Sequence, residues 1–428
     1  MRRKFWVWLV ILLWLTACGR AKTLPNPSIT PRVVAPVTPT PVPIVAIDPK
    51  ATPLTENQLV IWAPNFFEAR ADANTGSLLQ AVYRQFEQAN PGVHVDVHVK
   101  AESGEASMFN YLRTAQRVAP TILPDLVLID TQYLWQVAEL DLIHPITFDD
   151  LGQKVNFYPF ALNAVTFKQQ QYGIPYTADL IHAVYDSQVY TTTPVTWDAV
   201  LAKKRPYLFS TGIRDGFYDE SLLLQYIGAG GQLLESGELS NPEAVEALFT
   251  FLSQGRSNGT VPEEVLNLSN LNAVWAAFLL GQTGVANIST SLYLSQPKSP
   301  DDIKFGPVPT RKGANITIAR TWAFAILTND PQRRQLALQL IARFLEPIPQ
   351  GQWSQLASYL PVSPDAFAQW TTTGPYHDFL RQQLEIAVAI PGGRPFAEFA
   401  KHLQAAQQTV LSGQGTVKEA LAQLQTKP

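Results

Sequence analysis

The sequence predicts an α/β protein large enough for two lobes. Short β-rich runs alternate with segments of helical periodicity from Leu59 onward. The chain has 428 residues, of which 46% are apolar and 16% are charged, an ordinary globular composition that can fill two sizeable cores. Strands that alternate with helices favour a parallel sheet covered by helices.

The first strands and helices follow from changes in hydrophobic period. Leu59–Trp62 and Leu126–Ile129 are short apolar runs typical of buried strands. Between them, Leu78–Phe86 repeats apolar residues at helical spacing, and Asn90-Pro91-Gly92 ends that helix. Val93–Val99 alternates apolar and polar residues, which predicts a strand with one solvent-facing side.

Helix starts in the second half are marked by capping residues. Thr196, Asn241 and Asp330 each precede a good first-turn residue. Thr416-Val417-Lys418-Glu419 matches a capping box. A helix over 272–280 is followed by a strand over 284–288 that leads into a loop.

The N-terminal 17 residues have the pattern of a secretion signal. Arg2, Arg3 and Lys4 precede an apolar run, Phe5–Leu15, that is too short to span a bilayer as a mature helix. The ending before Cys18, Leu-x-Ala-Cys, resembles a bacterial lipobox, which implies cleavage before Cys18 and attachment of lipid to its sulfur. The alternative is an ordinary signal peptide or short anchor with an incidental cysteine.

A proline-rich segment follows Cys18, so that residues 18–58 are predicted to be a lipid anchor and tether. Nine prolines lie between Leu24 and Gln58. Extended polyproline II at about 3.1 Å per residue would let this segment reach at most about 100 Å from a membrane. A docking ligand for another protein is the alternative interpretation of the same composition.

Composition excludes several functional classes. Cys18 is the sole cysteine, so the mature body has no disulfide framework and no Cys-ligated metal site. Formal charge is −3 for the chain, and removal of three signal-peptide cations lowers it to −6. Nucleic-acid binding needs clustered cations, and the densest run is Lys203-Lys204-Arg205, so we expect no nucleic-acid partner.

Six passages together resemble the sugar-binding family of extracellular solute-binding proteins that serve ABC importers. They occur in the family's order at 59–62, 86–93, 124–127, 172–176, 278–286 and 306–309. The resemblance implies a periplasmic-binding-protein-like type II fold, in which two α/β lobes joined by crossing hinge segments close on a ligand. It also implies an ABC permease as partner, a monomer, and a location outside the cytoplasm.

The resemblance further implies how the chain is divided. One lobe would contain 59–182 and 306–350, and the other would contain 186–305 and 355–428. Sugar-binding proteins of this kind line the cleft with aromatic and polar side chains, because a pyranose has an apolar face and a rim of hydroxyl groups.

Candidate ligand-binding residues of the first lobe follow its strands. Trp62 and Asn65 come after the first strand. Asp130 ends the third strand and Gln132 follows it, at the edge where open α/β sheets bind ligands. Trp62 could instead close the strand's core, and Asp130 could cap the next helix. Tyr176 and Asp179 precede the expected crossover between the lobes. For Tyr176, the alternative is a hinge residue that packs without contacting the ligand.

Candidates in the second lobe are aromatic or small and polar. Tyr218 matches in placement a cleft aromatic of the family, while Asn287 and Ser289 end a strand, where a plain turn would look similar. Phe396 is a stacking candidate, with a packed loop as the alternative. This chain has Ser289-Thr290-Ser291 where the family often has a tryptophan, which weakens the assignment to a specific sugar.

Two arginines raise the question of an acidic ligand. Arg320 and Trp322 stand where the family often has a Gly-Gly pair. A cleft-facing arginine could bind a carboxylate or phosphate with two hydrogen bonds. Arg394 is the second candidate cation, with a surface position as its alternative.

The remaining patterns favour binding over catalysis. His94, Asp96 and His98 share a strand face, but alternation explains them, and we expect no metal and no cofactor. Nucleophile-elbow, zinc-protease and P-loop motifs are absent. The alternatives are a receptor for a non-sugar solute such as a peptide, a polyamine or a phosphorylated polyol, and a secreted glycosidase using Asp130, Asp179 or Asp219.

Overall fold

A computed structural model describes residues 58–68, 74–212, 218–281, 283–296 and 302–425. The predictions for the signal peptide, Cys18 and the tether up to residue 57 lie outside the described residues. Within them, the strands are β1 (Gln58–Ala63), β2 (His94–Val99), β3 (Leu126–Asp130), β4 (Thr166–Phe167), β5 (Gln170–Gln171), β6 (Ile174–Asp186), β7 (Tyr207–Leu208), β8 (Val285–Ser289), β9 (Ile303–Gly306), β10 (Thr317–Ile326), β11 (Leu360–Pro361) and β12 (Ala387–Ala389).

The helices of the same residues are α1 (Asn74–Ala89), α2 (Met108–Val118), α3 (Leu134–Glu139), α4 (Pro159–Ala164), α5 (Trp197–Lys203), α6 (Glu220–Gly228), α7 (Pro242–Asn258), α8 (Leu271–Leu279), α9 (Thr290–Leu294), α10 (Pro331–Phe344), α11 (Pro347–Ala357), α12 (Pro364–Phe367), α13 (Pro375–Ile386), α14 (Arg394–Ser412) and α15 (Val417–Gln425). Single turns of 3-10 helix lie over 65–67, 120–122, 131–133, 148–151 and 263–267.

The predicted helix caps are confirmed. Thr196, Asn241 and Asp330 each accept a hydrogen bond from a backbone N–H of the first turn that follows. Thr416 and Glu419 form the predicted capping box, with reciprocal bonds between each side chain and the other's amide. These contacts satisfy N–H groups that a helix start leaves without an intrahelical partner.

The main sheet is mixed, and two long strands run through its centre. Its order is β2-β1-β3-β10-β6-β8-β7. β1 pairs in parallel with β2 and β3, whereas β10 is antiparallel to both β3 and β6. The first half of β6 pairs with β10, and its second half, from Ile181, pairs with β8 and β9. β6 therefore passes from one part of the molecule to the other.

Helices cover both faces of the first part of the sheet. Alternate residues of β3 enter different cores: Leu126 and Leu128 join one, and Val127 and Ile129 the other. β1 and β10 divide in the same way. Successive side chains of a strand point to opposite faces of the sheet, and here both faces are buried. The result is a three-layer first lobe.

A separate core forms the second lobe. It contains Ile181, Ala183, Val184 and Tyr185 from the second half of β6 and the apolar faces of α6, α7, α8 and α14. The α/β fold with two lobes is confirmed by this arrangement together with the similarity to solved structures described below.

The division of the chain between the cores differs from the predicted bounds. Leu360 and Leu384 pack in the first lobe, although 355–428 was assigned to the second. Val308 packs in the second lobe, although 306–350 was assigned to the first. Chain segments therefore cross between the lobes at later positions than the family resemblance implied.

Candidate functional site

A cavity of about 200 Å³ lies where β6 and β10 pass between the two cores. Side chains from both lobes form its wall, and the two long strands form its floor. It is lined by Glu102, Arg320, Trp322 and Tyr359 on the first-lobe side, by Asp179, Leu180, Ile181 and Ile318 on the strands, and by Glu220, Asn270, Leu271, Asn272, Ser289, Ser291 and Leu292 on the second-lobe side.

Arg320 forms the charged centre of the first-lobe wall. Its Nε donates to Asp130 Oδ2 at 2.5 Å, and its Nη2 donates to Glu102 Oε2 at 2.8 Å. The guanidinium carbon lies 4.5 Å from the centre of the Trp322 ring. Burial would lower the pKa of Arg320, but the charges of Asp130 and Glu102 outweigh burial and raise the pKa. The guanidinium therefore stays charged and is held by two carboxylates.

Asp130 has a second contact that fixes the end of β3. Its Oδ1 accepts a hydrogen bond of 3.0 Å from the backbone N–H of Gln132, so it caps the 3-10 turn that follows. The predicted alternative, a cap for the next helical turn, describes this contact. The ion pair with Arg320 is a second role of Asp130. Its prediction would have required the pairing of β10 with β3 at Trp322 and Asp130.

Asp179 joins β6 to the start of α9. Its carboxylate accepts from the Thr290 hydroxyl at 2.6 Å, from the Ser291 backbone N–H at 2.9 Å and from the Ser291 hydroxyl at 2.5 Å. Ser289 caps α9 by accepting from the N–H of Leu292 at 3.3 Å. Three donors therefore hold the Asp179 carboxylate at the cavity floor.

Aromatic rings form the apolar part of the wall. Trp322 and Tyr359 meet edge to face with 5.3 Å between ring centres, and Phe66 packs on Tyr359 at 4.5 Å. The Trp322 ring is fully buried, and its Nε1–H has no protein partner. An apolar ring surface beside directed polar groups is the combination that a sugar ring requires.

Glu220 and Gln132 meet across the two lobes. Glu220 is in the first turn of α6, whose N-cap is Asp219, and burial raises the pKa of Asp219. Gln132 Nε2 donates to Glu220 Oε1 at 3.4 Å. The Glu220 carboxylate therefore lies both at the cavity and at a contact between the lobes.

Four of the predicted site residues line the cavity itself: Asp179, Ser289, Arg320 and Trp322. Asp130 and Gln132 lie directly behind its wall through their contacts with Arg320 and Glu220. The structure thus brings together predicted residues from β3, β6, β8 and β10.

Three predicted residues of the first lobe lie elsewhere. Trp62 is buried in the core with Tyr111, and Lys100 Nζ lies 4.8 Å from its ring centre. Tyr176 is 1% exposed and packs among Phe67, Phe324 and Trp353, so core packing replaces the predicted ligand contact. Asn65 is exposed at a separate open depression.

Four predicted residues of the second lobe also lie outside the cavity. Phe396 is fully buried against Tyr218, with ring centres 5.3 Å apart, and burial raises the pKa of Tyr218 to about 12. Asn287 is fully buried and accepts from the Tyr207 hydroxyl at 2.9 Å. Arg394 is exposed and pairs with Glu139 at 3.4 Å. The first three side chains are buried in the second lobe, and Arg394 lies at a contact between the lobes.

Sequence reasoning missed five polar or aromatic residues of the cavity: Glu102, Glu220, Asn270, Asn272 and Tyr359. Asn270 carried a usable signal, because it caps α8 by accepting from the N–H of Ala273 and so lies at a helix start. Glu102 and Tyr359 are in loops whose position only the folded chain defines.

The fold and the cavity together define a two-lobed protein that binds a small solute between its lobes. Residues 81–376 match the family of bacterial extracellular solute-binding proteins, and the chain belongs to this family. The members are binding proteins that work outside the cytoplasm. Among the described residues, none of the helices is long and apolar enough to cross a bilayer.

Comparisons with individual proteins agree with this assignment. The maltotriose-binding protein of Pyrococcus abyssi is 27% identical over 139 residues, which cover 30% of this chain and 30% of that relative. The sugar-binding protein MalE of Xanthomonas citri has a TM-score of 0.67 at 18% identity, over 86% of this chain and 95% of that one. The cyclic alpha-maltosyl-1,6-maltose binding protein of Arthrobacter globiformis has a TM-score of 0.66 at 18% identity, over 87% and 97%.

Within the described ranges, no group of three or more His, Cys, Asp or Glu side chains is arranged to hold a metal ion. His98 and Asp96 of the sparse β2 constellation contact each other at 2.9 Å on the partly exposed edge strand. Their solvent-facing position agrees with the alternation of the sequence.

Proposed function

We propose that this protein is the carbohydrate receptor of an ABC importer, which captures a mono- or oligosaccharide between its lobes and delivers it to a membrane permease. The observation that carries the proposal is the cavity at the crossing of β6 and β10, walled by both lobes. A ligand there contacts both lobes at once, so its binding favours the closed arrangement that a permease can distinguish from the open one.

The chemistry of the wall supports a carbohydrate. Tyr359 offers ring surface for the apolar face of a pyranose, while Asn270, Asn272 and Ser289 offer donors and acceptors for its hydroxyl groups. The named ligands of the relatives, maltotriose and maltose-type sugars, belong to the same class.

The carboxylates of the cavity suit binding better than catalysis. Asp130 and Glu102 are ion-paired with Arg320, and Asp179 accepts three hydrogen bonds. These partners occupy the carboxylate oxygens that a general acid or a nucleophile would have to present to the substrate. The proposed activity is therefore capture without turnover.

Cys18 and the tether complete the proposal. Lipid on Cys18 would hold the body within about 100 Å of the membrane, where it meets its permease at a high effective concentration. Replacement of Cys18 by Ser is expected to move the protein from the membrane fraction to the soluble fraction, and continued membrane association would contradict lipid anchoring.

The test of the carbohydrate function is ligand-dependent stabilisation. Thermal unfolding is measured with a panel of mono- and oligosaccharides that includes maltose, maltotriose and cellobiose. A ligand present at a hundred times its Kd adds about 2.7 kcal/mol to the free energy of unfolding. No shift with any carbohydrate would overturn the proposal, and release of smaller sugars from a bound oligosaccharide would make the protein an enzyme.

A pair of variants ties the shift to the cavity. Tyr359→Ala removes one ring from the wall and is expected to weaken binding at least tenfold. Tyr172→Ala is the matched control, because Tyr172 is also a half-buried tyrosine of the first lobe but contacts Gln170 away from the cavity. Equal loss of affinity in both variants would place the ligand elsewhere.

A further inference from the structure

The two lobes contact each other in this structure, so the cavity has the size that belongs to the lobes when they are together. The Gln132 side chain donates to Glu220 Oε1 at 3.4 Å, and Arg394 pairs with Glu139 at 3.4 Å. Each pair joins a residue of one lobe to a residue of the other. A solute that leaves these contacts in place must fit inside the volume that the lobes enclose.

The enclosed volume is small for an oligosaccharide. The cavity measures about 200 Å³, whereas pockets that enclose drug-sized ligands measure about 300–1,000 Å³. A disaccharide has about as many non-hydrogen atoms as a drug-sized ligand, and a monosaccharide has about half as many. The volume therefore suits one sugar unit and is too small for two.

The ring surface of the wall is a second, independent observation that indicates one sugar unit. Within the described ranges, the aromatic residues that line the cavity are Trp322 and Tyr359. Trp322 is 1% exposed, whereas Tyr359 is partly exposed. A pyranose places its apolar face against the face of one aromatic ring. Tyr359 can therefore hold one pyranose in this way.

Other aromatic side chains that could have extended the wall are used in packing. Trp62, Tyr218 and Phe396 are buried. Tyr218 and Phe396 pack on each other with 5.3 Å between ring centres, and Trp62 packs on Tyr111. None of these four described residues lines the cavity. A second sugar unit would gain no stacking contact from them.

Volume and ring surface lead to the same ligand size. We propose that the cavity binds a single sugar unit, so that the ligand is a monosaccharide and longer saccharides of the same sugar bind more weakly. The second unit of a disaccharide has to lie outside the cavity, where it holds the lobes further apart. Affinity then falls with the population of the closed state. This inference rests on the proposed carbohydrate function and narrows its ligand to monosaccharides.

The experiment compares each monosaccharide with its own oligosaccharides by isothermal titration of the full-length protein. Glucose is compared with maltose, cellobiose and maltotriose, and galactose, mannose and xylose are compared with their linear di- and trisaccharides. In each series that binds, the Kd of the monosaccharide is expected to be at least ten times lower than that of its disaccharide.

A pair of double variants assigns the preference to the cavity. Leu271 and Leu292 line it, and Leu271→Ala with Leu292→Ala enlarges it, so the preference for the monosaccharide should fall to threefold or less. Leu266 and Leu268 are also partly buried leucines of the second lobe, packed on its core away from the cavity. Leu266→Ala with Leu268→Ala should leave the preference unchanged. Circular dichroism confirms that both double variants are folded.

The outcomes separate this inference from the proposed function. A disaccharide that binds as tightly as its monosaccharide, or more tightly, overturns the inference and leaves the carbohydrate receptor in place. The same holds for a preference that survives the enlargement of the cavity, or that both double variants lose equally. Absence of binding by every sugar overturns both.

Discussion

His182 is a buried histidine in the strand that joins the two lobes. It is 1% exposed, and its ring contacts Tyr293 and Phe379. Nδ1 lies 3.0 Å from the Ala183 carbonyl, which can only accept, so Nδ1 carries the proton. Nε2 of the neutral ring then accepts from the Tyr376 hydroxyl at 2.9 Å. This arrangement requires the neutral ring, because a protonated Nε2 could not accept.

Stability is therefore expected to fall as the pH drops from 6.5 to 4. Burial lowers the pKa of His182 from 6.5 to about 4, so between these values the unfolded chain binds a proton that the folded one excludes. The folded state loses up to about 3 kcal/mol across this window. The free energy of unfolding, measured with urea, should therefore fall less between pH 7 and pH 4.5 in His182→Gln than in the wild type.

The control for this prediction is His144→Gln, at a half-exposed histidine of the first lobe. The free energy of unfolding of His144→Gln should depend on pH as that of the wild type does, because carboxylate protonation contributes equally to both. If His182→Gln and the wild type lose stability in parallel between pH 7 and 4.5, His182 is not the source.

Single residues also show where sequence reasoning about the site reached its limit. Asp179 and Tyr176 were both predicted to contact the ligand, yet an odd number of positions separates them along β6, so they point to opposite faces. Tyr176 and Ala178 enter the core, and Asp179 reaches the cavity. The alternation of side chains along a strand can be read from sequence, and it shows that Tyr176 and Asp179 cannot both contact the ligand. Only the pairing of the strands in the fold shows which of the two does.

At the scale of elements, α11 and α12 show a close approach that depends on glycine. Gly351 is in the middle of α11, and a Cβ atom there would lie 2.3 Å from the Ala366 carbonyl oxygen and 2.6 Å from the Gln369 Cβ. The obstacle is backbone of α12, which cannot rotate away. The two helices can pack at this distance only because position 351 has no side chain.

Gly351→Ala is expected to destabilise the protein by about 1–3 kcal/mol. Helix propensity alone predicts a gain of about 1 kcal/mol, but overpacking against backbone has the opposite sign and a larger size. Urea unfolding of this variant is compared with that of Gln352→Ala, on the exposed side of the same helix, which should change by less than about 0.5 kcal/mol. A Gly351→Ala variant as stable as the wild type would show that the helices separate easily.

Elements were predictable where their determinants are local. The caps at Thr196, Asn241 and Asp330 bind amides three residues away, so a short window of sequence contains both partners. The position of α11 to α13 in the first lobe depends instead on Trp353, Leu360 and Leu384 meeting residues such as Phe67 and Tyr176, which are far apart in the chain. No local pattern specifies which of two apolar cores a helix joins.

For the whole molecule, a second contact between the lobes lies apart from the cavity. The segment before α14 passes close to the first lobe: a Cβ on Gly392 would lie 3.2 Å from the Trp135 Cβ, and one on Gly393 would lie 3.2 Å from the Phe167 ring. Beside it, the Lys168 N–H donates to Glu235 at 3.0 Å. These contacts exist only while the lobes are close together.

A wedge at Gly392 is therefore expected to hold the lobes apart. Gly392→Leu adds a branched side chain at a position where the Cβ alone would lie 3.2 Å from the Trp135 Cβ, and Gly392 lacks the positive φ that would itself strain a substitution. If the closed state falls to a tenth of its population, the apparent Kd for a carbohydrate rises about tenfold, because affinity scales with the competent fraction. Titration with the sugar measures the Kd, and X-ray scattering should show a larger radius of gyration.

Arg394→Ala is the control: it removes only the exposed pair with Glu139, worth about 0–1 kcal/mol, so its Kd should change less than that of Gly392→Leu. Wild-type affinity and radius of gyration in Gly392→Leu would mean that closure does not depend on this contact.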